Sequence, residues 1–229
     1  MPKTLHFCTM LKRIALLLLL AAGLPWALQA QSSAPKWMPD SVYYLMPRFD
    51  QGYVFLRGQM PAQGKMNICA VDNTLRFLDD NGTELSSGED NILKVVIGNV
   101  SFLRSQDVFY RQYPLKADIG VALCRKVHII RDQKVAAYGG TSETSSTKQY
   151  NTLYADGVTY NLNDDDAYPY EVTETIHVYK GGEVFPLTKK SLRKIFASRK
   201  ADIDAWFQAG NSLPRTVEKT LEMLALWAE

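Results

Sequence analysis

The sequence predicts an α+β protein: a mainly antiparallel β meander or roll, barrel-like, over residues 41–187, and a C-terminal helical appendage of two to three short helices over 188–229. Three observations carry this reading. Short runs rich in β-branched and aromatic residues follow one another from Ser41, turn-forming residues separate them, and the apolar spacing becomes helical only from Thr188. No helical period lies between strands before residue 185, which argues against βαβ units.

The N-terminus reads as an export signal. Lys12 and Arg13 precede the apolar run Ile14 to Leu24, which PWALQAQSS follows. Eleven apolar residues are too few for a bilayer that takes about 20. Cleavage is expected after Ala30, with translation starting at Met1 or Met10. A lipoprotein would need a cysteine at the new N-terminus, and the next one is Cys69, so the mature chain is expected to be soluble, periplasmic or secreted, with no transmembrane segment.

Removing residues 1–30 takes Lys3, Lys12 and Arg13 and no acid, so 26 basic residues fall to 23 against 24 acidic ones. Near-zero charge argues against a nucleic-acid partner, which selects for a strong basic excess. About 200 residues suffice to bury a core without a metal or disulfide. Cys69 and Cys124 remain, each in a strand-like run, MNICAV and VALCRKV. In an oxidising compartment they form either a disulfide, contributing about 4 kcal/mol in the chain-entropy model, or two small buried hydrophobes.

Residues 31–40 (QSSAPKWMPD) read as a flexible lead-in. The strand-like runs are SVYYLM, GYVFLRG, KMNICAV, TLRFLD, ILKVVIG, VSFLR, DVFYRQ and GVALCRKVHIIR, then VTYNL, TIHVYKGGE and EVFPL. Asp80-Asn81-Gly82 suits a type I′ hairpin, and Tyr179 to Glu183 another turn. Between them lies a Ser/Thr/Gly-rich stretch, about 136–157, expected to be a long polar loop.

Beyond it, Leu192, Ile195, Phe196, Ile203, Trp206 and Phe207 fall on one helical face. Ser198 is expected to cap a second helix, Gly210-Asn211 to end it, and Pro214 to open a third through Val217, Leu221, Leu224 and Ala225. Lys190, Arg193, Lys194 and Lys200 lie away from the apolar arc, with Asp204 four residues after Lys200. A solvated face on a core-capping helix is expected there rather than an anion or membrane contact.

No catalytic residue, metal ligand or cofactor site is assigned. Cys124 and His128 are separated by about 13 Å if both lie on one strand, and His177 stands alone. Asp164-Asp165-Asp166 lacks the alternating ligand spacing of a calcium loop. HExxH, CxxC, GxSxG, GxGxxG and P-loop motifs are absent. The aromatics Tyr43, Tyr44, Tyr53, Phe55, Phe102, Phe109 and Tyr110 are expected mainly to pack across strands, a sugar- or peptide-binding face being the other use.

The ordered set YYLMPRFDQGYVFLRGQMPAQGKMN, LRFLDDNGTEL, VVIGNVSFL, AYGGTSETSS and FPLTKKSLRKIFASRKADIDAWF resembles a family of exported Bacteroidota proteins to which no activity is assigned. The resemblance implies a Gram-negative envelope, a β-rich body and a helical C-terminal piece. The functional expectation is a non-catalytic binding or envelope-associated structural module, with an envelope protein or glycan as partner. A hydrolase with dispersed carboxylates is the alternative, an inhibitor or assembly factor a third.

Overall fold

A computed structural model describes residues 34–87, 91–130, 152–155, 158–161 and 168–228. The expected signal peptide with Ala30, most of the 136–157 loop and the Asp164–Asp166 run lie outside the described residues. The body is antiparallel β, as expected: β1 Asp50–Leu56, β2 Ala62–Ile68, β3 Leu75–Leu78, β4 Glu84–Ser86, β5 Ile92–Ile97, β6 Val100–Ser105, β7 Val108–Lys116, β8 Ile119–Ile129, β9 Thr152–Ala155, β10 Val158–Asn161, β11 Tyr170–Lys180 and β12 Glu183–Pro186. Ten of these form one sheet in the order β12-β11-β8-β7-β6-β5-β1-β2-β3-β4, while β9 and β10 pair only with each other. The sheet is open, not a closed barrel. Its curl nevertheless brings the Val127 amide of β8 within 3.0 Å of the Ala70 carbonyl just beyond β2.

Two segments read as extended or loose are otherwise. Residues 40–43 form one helical turn, α1 (Asp40–Tyr43), entered from Pro39 at φ −60° with Asp40 in its first turn. Proline sets that φ before the helix, which outweighs the β propensity of Val42 and Tyr43. The lead-in is packed from Ala34: Met38 is buried, and Trp37 meets Tyr168 edge-on at 5.5 Å. Asn67, fully buried, ties the next segment down. Its side-chain oxygen accepts from the amides of Met46 and Ile68, at 3.1 and 2.8 Å, and its amide nitrogen donates to the Met46 carbonyl at 3.0 Å. Every polar atom of that amide that faces protein is thereby used.

The turns divide by chemistry. Gly181 and Gly182, at φ 59° and 84°, join Lys180 to its partner Glu183 in a two-residue turn with both residues left-handed. That is the type I′ geometry. It does not occur at Asp80-Asn81-Gly82, where only Gly82 has positive φ, at 77°. There the Asp79 carboxylate accepts from the amides of Asn81 and Thr83, at 2.9 and 2.7 Å, holding a five-residue loop instead.

The helices are α2 (Lys189–Ile195), a 3₁₀ turn (Ala197–Arg199), α3 (Lys200–Gln208) and α4 (Val217–Ala225). Thr188 caps α2 by accepting from the Ser191 amide, and Thr216 caps α4 by accepting from the Lys219 amide. Ser198 caps nothing, because the 3₁₀ turn carries the chain from α2 into α3, and Pro214 precedes the third helix without opening it. Gly210, at φ 83°, ends α3. The predicted apolar face is core. Leu192 and Ile203 are fully buried with Leu224 of α4 against Ile119, Val121 and Val178 of the sheet. Burying such side chains contributes about 2 kcal/mol each. Asp204 turns from Lys200 toward α2 and pairs with Lys189 at 2.8 Å and Arg193 at 3.7 Å, which holds its carboxyl below the usual range. Among the described residues, no helix is long and apolar enough to cross a membrane.

Candidate functional site

Strand alternation sends Gly52, Val54 and Leu56 of β1 to the inner face of the curl and Tyr53 and Phe55 outward. Met66 and Ile68 of β2, and Leu75 and Phe77 of β3, join the inner face. At the edge of this core the packing leaves a cleft of about 260 Å³, lined by Val54 and Leu56, by Ala62, Gln63, Gly64 and Met66, by Leu75, Phe77 and Leu78, and by Ser87. Val54, Met66 and Leu75 are buried core residues, so the floor is held by the sheet itself. Gly64 and Ala62 supply too little side chain to fill the space. A Cβ added to Gly64 would meet nothing within 4 Å. Among the described residues, Gln63 and Ser87 are the polar members of the lining and none of its side chains is charged.

In the sequence, Pro61-Ala62-Gln63-Gly64 reads as turn residues between two strand-like runs; the structure instead starts β2 at Ala62, because Ala62 to Gly64 pair with Val54 to Gly52 of β1, and the cleft opens there. Once β2 is seen to include Gly64, the signal is a glycine within a strand, which marks either a close backbone approach or a place where no side chain packs. Gly52 is the first kind, since its Cβ would lie 2.5 Å from the Val96 carbonyl oxygen; Gly64 is the second.

Cys124 and His128 do share a site. They line a shallow depression of about 230 Å³ on the outer face with Tyr110, Lys126, Thr173, Thr175 and His177. Alternate positions on β8 put both on that face, but Cys124 is directly opposite Thr175 and His128 opposite Glu171, with Lys126 between them. The nearer imidazole is His177, whose ring stacks edge-on against Tyr110 at 5.0 Å and whose Nδ1 lies 3.3 Å from the Thr175 carbonyl. Burial raises the Cys124 pKa and lowers that of His177. Both groups are therefore neutral at neutral pH, the reverse of an activated thiolate beside an imidazolium. Cys69 and Cys124 are both free thiols, buried in separate clusters. The disulfide is thus not formed in this structure.

Of the seven singled-out aromatics, Tyr43, Tyr44, Phe102, Phe109 and Tyr110 are buried, while Tyr53 and Phe55 remain 48% and 38% exposed on the outer face of β1. Near the opposite end of β2, Arg76 lies against Asp72 and 3.9 Å from Glu84, which also accepts from the Tyr44 hydroxyl at 2.6 Å. This network joins Tyr44, the residue after α1, to the β2–β3 loop, β3 and β4, and its two carboxylates share one guanidinium. It lines none of the depressions described. Among the described residues, no group of three His, Cys, Asp or Glu side chains is placed to hold a metal ion. Comparison of the chain with protein-family models, with curated proteins and with solved structures gives no match.

Proposed function

We propose that the protein is an exported, non-catalytic binding module that takes an apolar group of its ligand into the cleft between β1, β2 and β3. The observation that carries this reading is the lining: a floor of core residues that cannot collapse, a gap left by Gly64, and two uncharged polar side chains. Apolar walls with a few polar groups are the usual composition of a small-molecule site. At about 260 Å³ the cleft holds one alkyl or aryl branch, the rest of the ligand lying outside. Among the described residues the lining carries no charge, which favours binding over hydrolysis, a reaction that needs paired carboxylates facing a shared space.

Export rests on the basic, apolar and small-residue order of residues 12–30. N-terminal sequencing of protein recovered from the periplasm of an expressing bacterium tests it, with Gln31 expected first. Binding is tested by titrating the protein with an uncharged apolar fluorophore. Gly64→Leu, whose Cβ meets no neighbour within 4 Å, extends into the cleft and should abolish the fluorescence rise while leaving the melting temperature near that of wild type. Equal binding by both proteins would remove the cleft from consideration.

A further inference from the structure

The polar side of the first two C-terminal helices forms a surface of its own. Lys189, Lys190, Arg193 and Lys194 of α2, Ala197 of the 3₁₀ turn and Lys200 of α3 line one broad depression of about 680 Å³. Among the described residues, five of the six that line it are cations and none is an acid. Asp204 takes up Lys189 and Arg193 from the α3 side, and among the described residues Lys190, Lys194 and Lys200 make no ion pair. Lys190 and Lys194 are one helical turn apart, a like-charge spacing that disfavours the empty surface.

Two of these cations rest against aromatic rings. Lys194 Nζ stands 4.8 Å from the centroid of the Phe185 ring and Lys189 Nζ 5.3 Å from that of Phe207. On the reverse side Leu192, Ile195 and Phe196 are locked into the core, so α2 cannot roll to disperse its charges. A chain with 26 basic and 24 acidic residues in all thus gathers five cations on one rigid wall.

We propose that this wall docks the protein on a lipid surface bearing anionic phosphate headgroups, through Lys190, Lys194 and Lys200 with Lys189 and Arg193 beside them. A broad, shallow depression whose described lining has no acceptor side chain suits many headgroups in a plane better than one oriented ligand. A nucleic acid would need a longer cationic track or aromatic platforms for its bases, and neither lines this wall. The inference is independent of the apolar cleft, since it uses only the helices.

The test is co-sedimentation of the full chain with vesicles of phosphatidylcholine alone or mixed with phosphatidylglycerol. The comparison protein is Lys190→Glu/Lys194→Glu/Lys200→Glu, which carries the same N-terminal apolar run. Wild type should partition onto the anionic vesicles at low salt, lose that binding as salt is raised, and exceed the triple variant by roughly tenfold. A melting temperature shows whether the variant folds; if it does not, Lys190→Gln/Lys200→Gln replaces it, with a smaller loss expected. Equal binding of wild type and variant to anionic vesicles would overturn the proposal. So would equal wild-type binding to both vesicle types, retention of single-stranded DNA without vesicle binding, or release from vesicles by inorganic phosphate at constant ionic strength.

Discussion

Val127 donates its amide proton to the carbonyl of Ala70 at 3.0 Å, although four strands separate β8 from β2 in the sheet. The β7–β8 pairing runs only as far as Arg111 opposite Leu123, so at Val127 the strand has outrun its neighbour and its amide faces the other side of the curl. One bond thus closes what the ladders leave open. The Val127 amide is expected to exchange with solvent as slowly as that of Val121 inside the sheet. Fast exchange at Val127 alone would show that the two sides are not held together in solution.

Gly120 sits where β8 crosses closest to β7. A Cβ there would stand 2.3 Å from the Tyr113 carbonyl oxygen and 2.9 Å from the Pro114 Cα, both backbone atoms that cannot step aside. Gly120→Ala should therefore cost about 1–3 kcal/mol or more by overpacking, read from a shift in the urea midpoint at constant slope. Gly64→Ala, with open space around it, is the control and should change the midpoint little.

The helical layer should behave as core, not as a detachable appendage. Leu192 is fully buried between α2 and the sheet, so Leu192→Ala should cost about 3–5 kcal/mol. Trp206 is half-buried, edge-on to Phe207 at 4.9 Å and to Trp227 at 5.8 Å, and Trp206→Ala should cost about 2 kcal/mol. A neutral Trp206→Ala would mean that this ring serves a partner. Both values come from chemical denaturation.

What was legible in the sequence follows from which signals are local. Strand alternation from Gly52 to His128 and the helical spacing of Leu192, Ile195 and Ile203 are local, and the structure carries both. The left-handed pair Gly181-Gly182 is also local, because glycine alone adopts two such residues without cost. Asn81-Gly82 misled because the deciding group, the Asp79 carboxylate, lies outside the dipeptide. Asp204 misled for a similar reason. Spacing along one helix points to Lys200, but α2 lies alongside and offers Lys189 and Arg193. The cleft was illegible because it is a missing volume beside Gly64, which reads with Pro61, Ala62 and Gln63 as a turn and not as part of β2.

Arg76 is partly buried between Asp72 and Glu84, whose side chains are 11% and 3% exposed. Burial opposes the guanidinium charge, but Asp72, Tyr43, Cys69 and Glu84 outweigh it and raise the pKa of Arg76. Arg76→Met leaves two poorly hydrated carboxylates without their cation and should cost about 3–5 kcal/mol. Replacing all three with apolar residues should recover much of that loss. If Arg76→Met alone is neutral, the network contributes no net stability.

The two thiols make the fold sensitive to alkali. Cys69 is pushed up to about 12 from the ordinary 9.0, first by burial and then by Asp72; Cys124 is raised too, chiefly by burial. Tyr43 is raised from 10.0 by burial and by Cys69. In each case the folded state keeps a proton that the unfolded chain releases. The stabilisation is complete below the unfolded pKa of 9.0 and is lost as pH rises toward 12, so the urea midpoint should fall through this window. Cys69→Ala should flatten the decline. At neutral pH a thiol reagent should label neither Cys69 nor Cys124 in the native protein and both after unfolding without reductant. Failure to label the pair in the unfolded chain, cured by reductant, would show that they are bridged in solution.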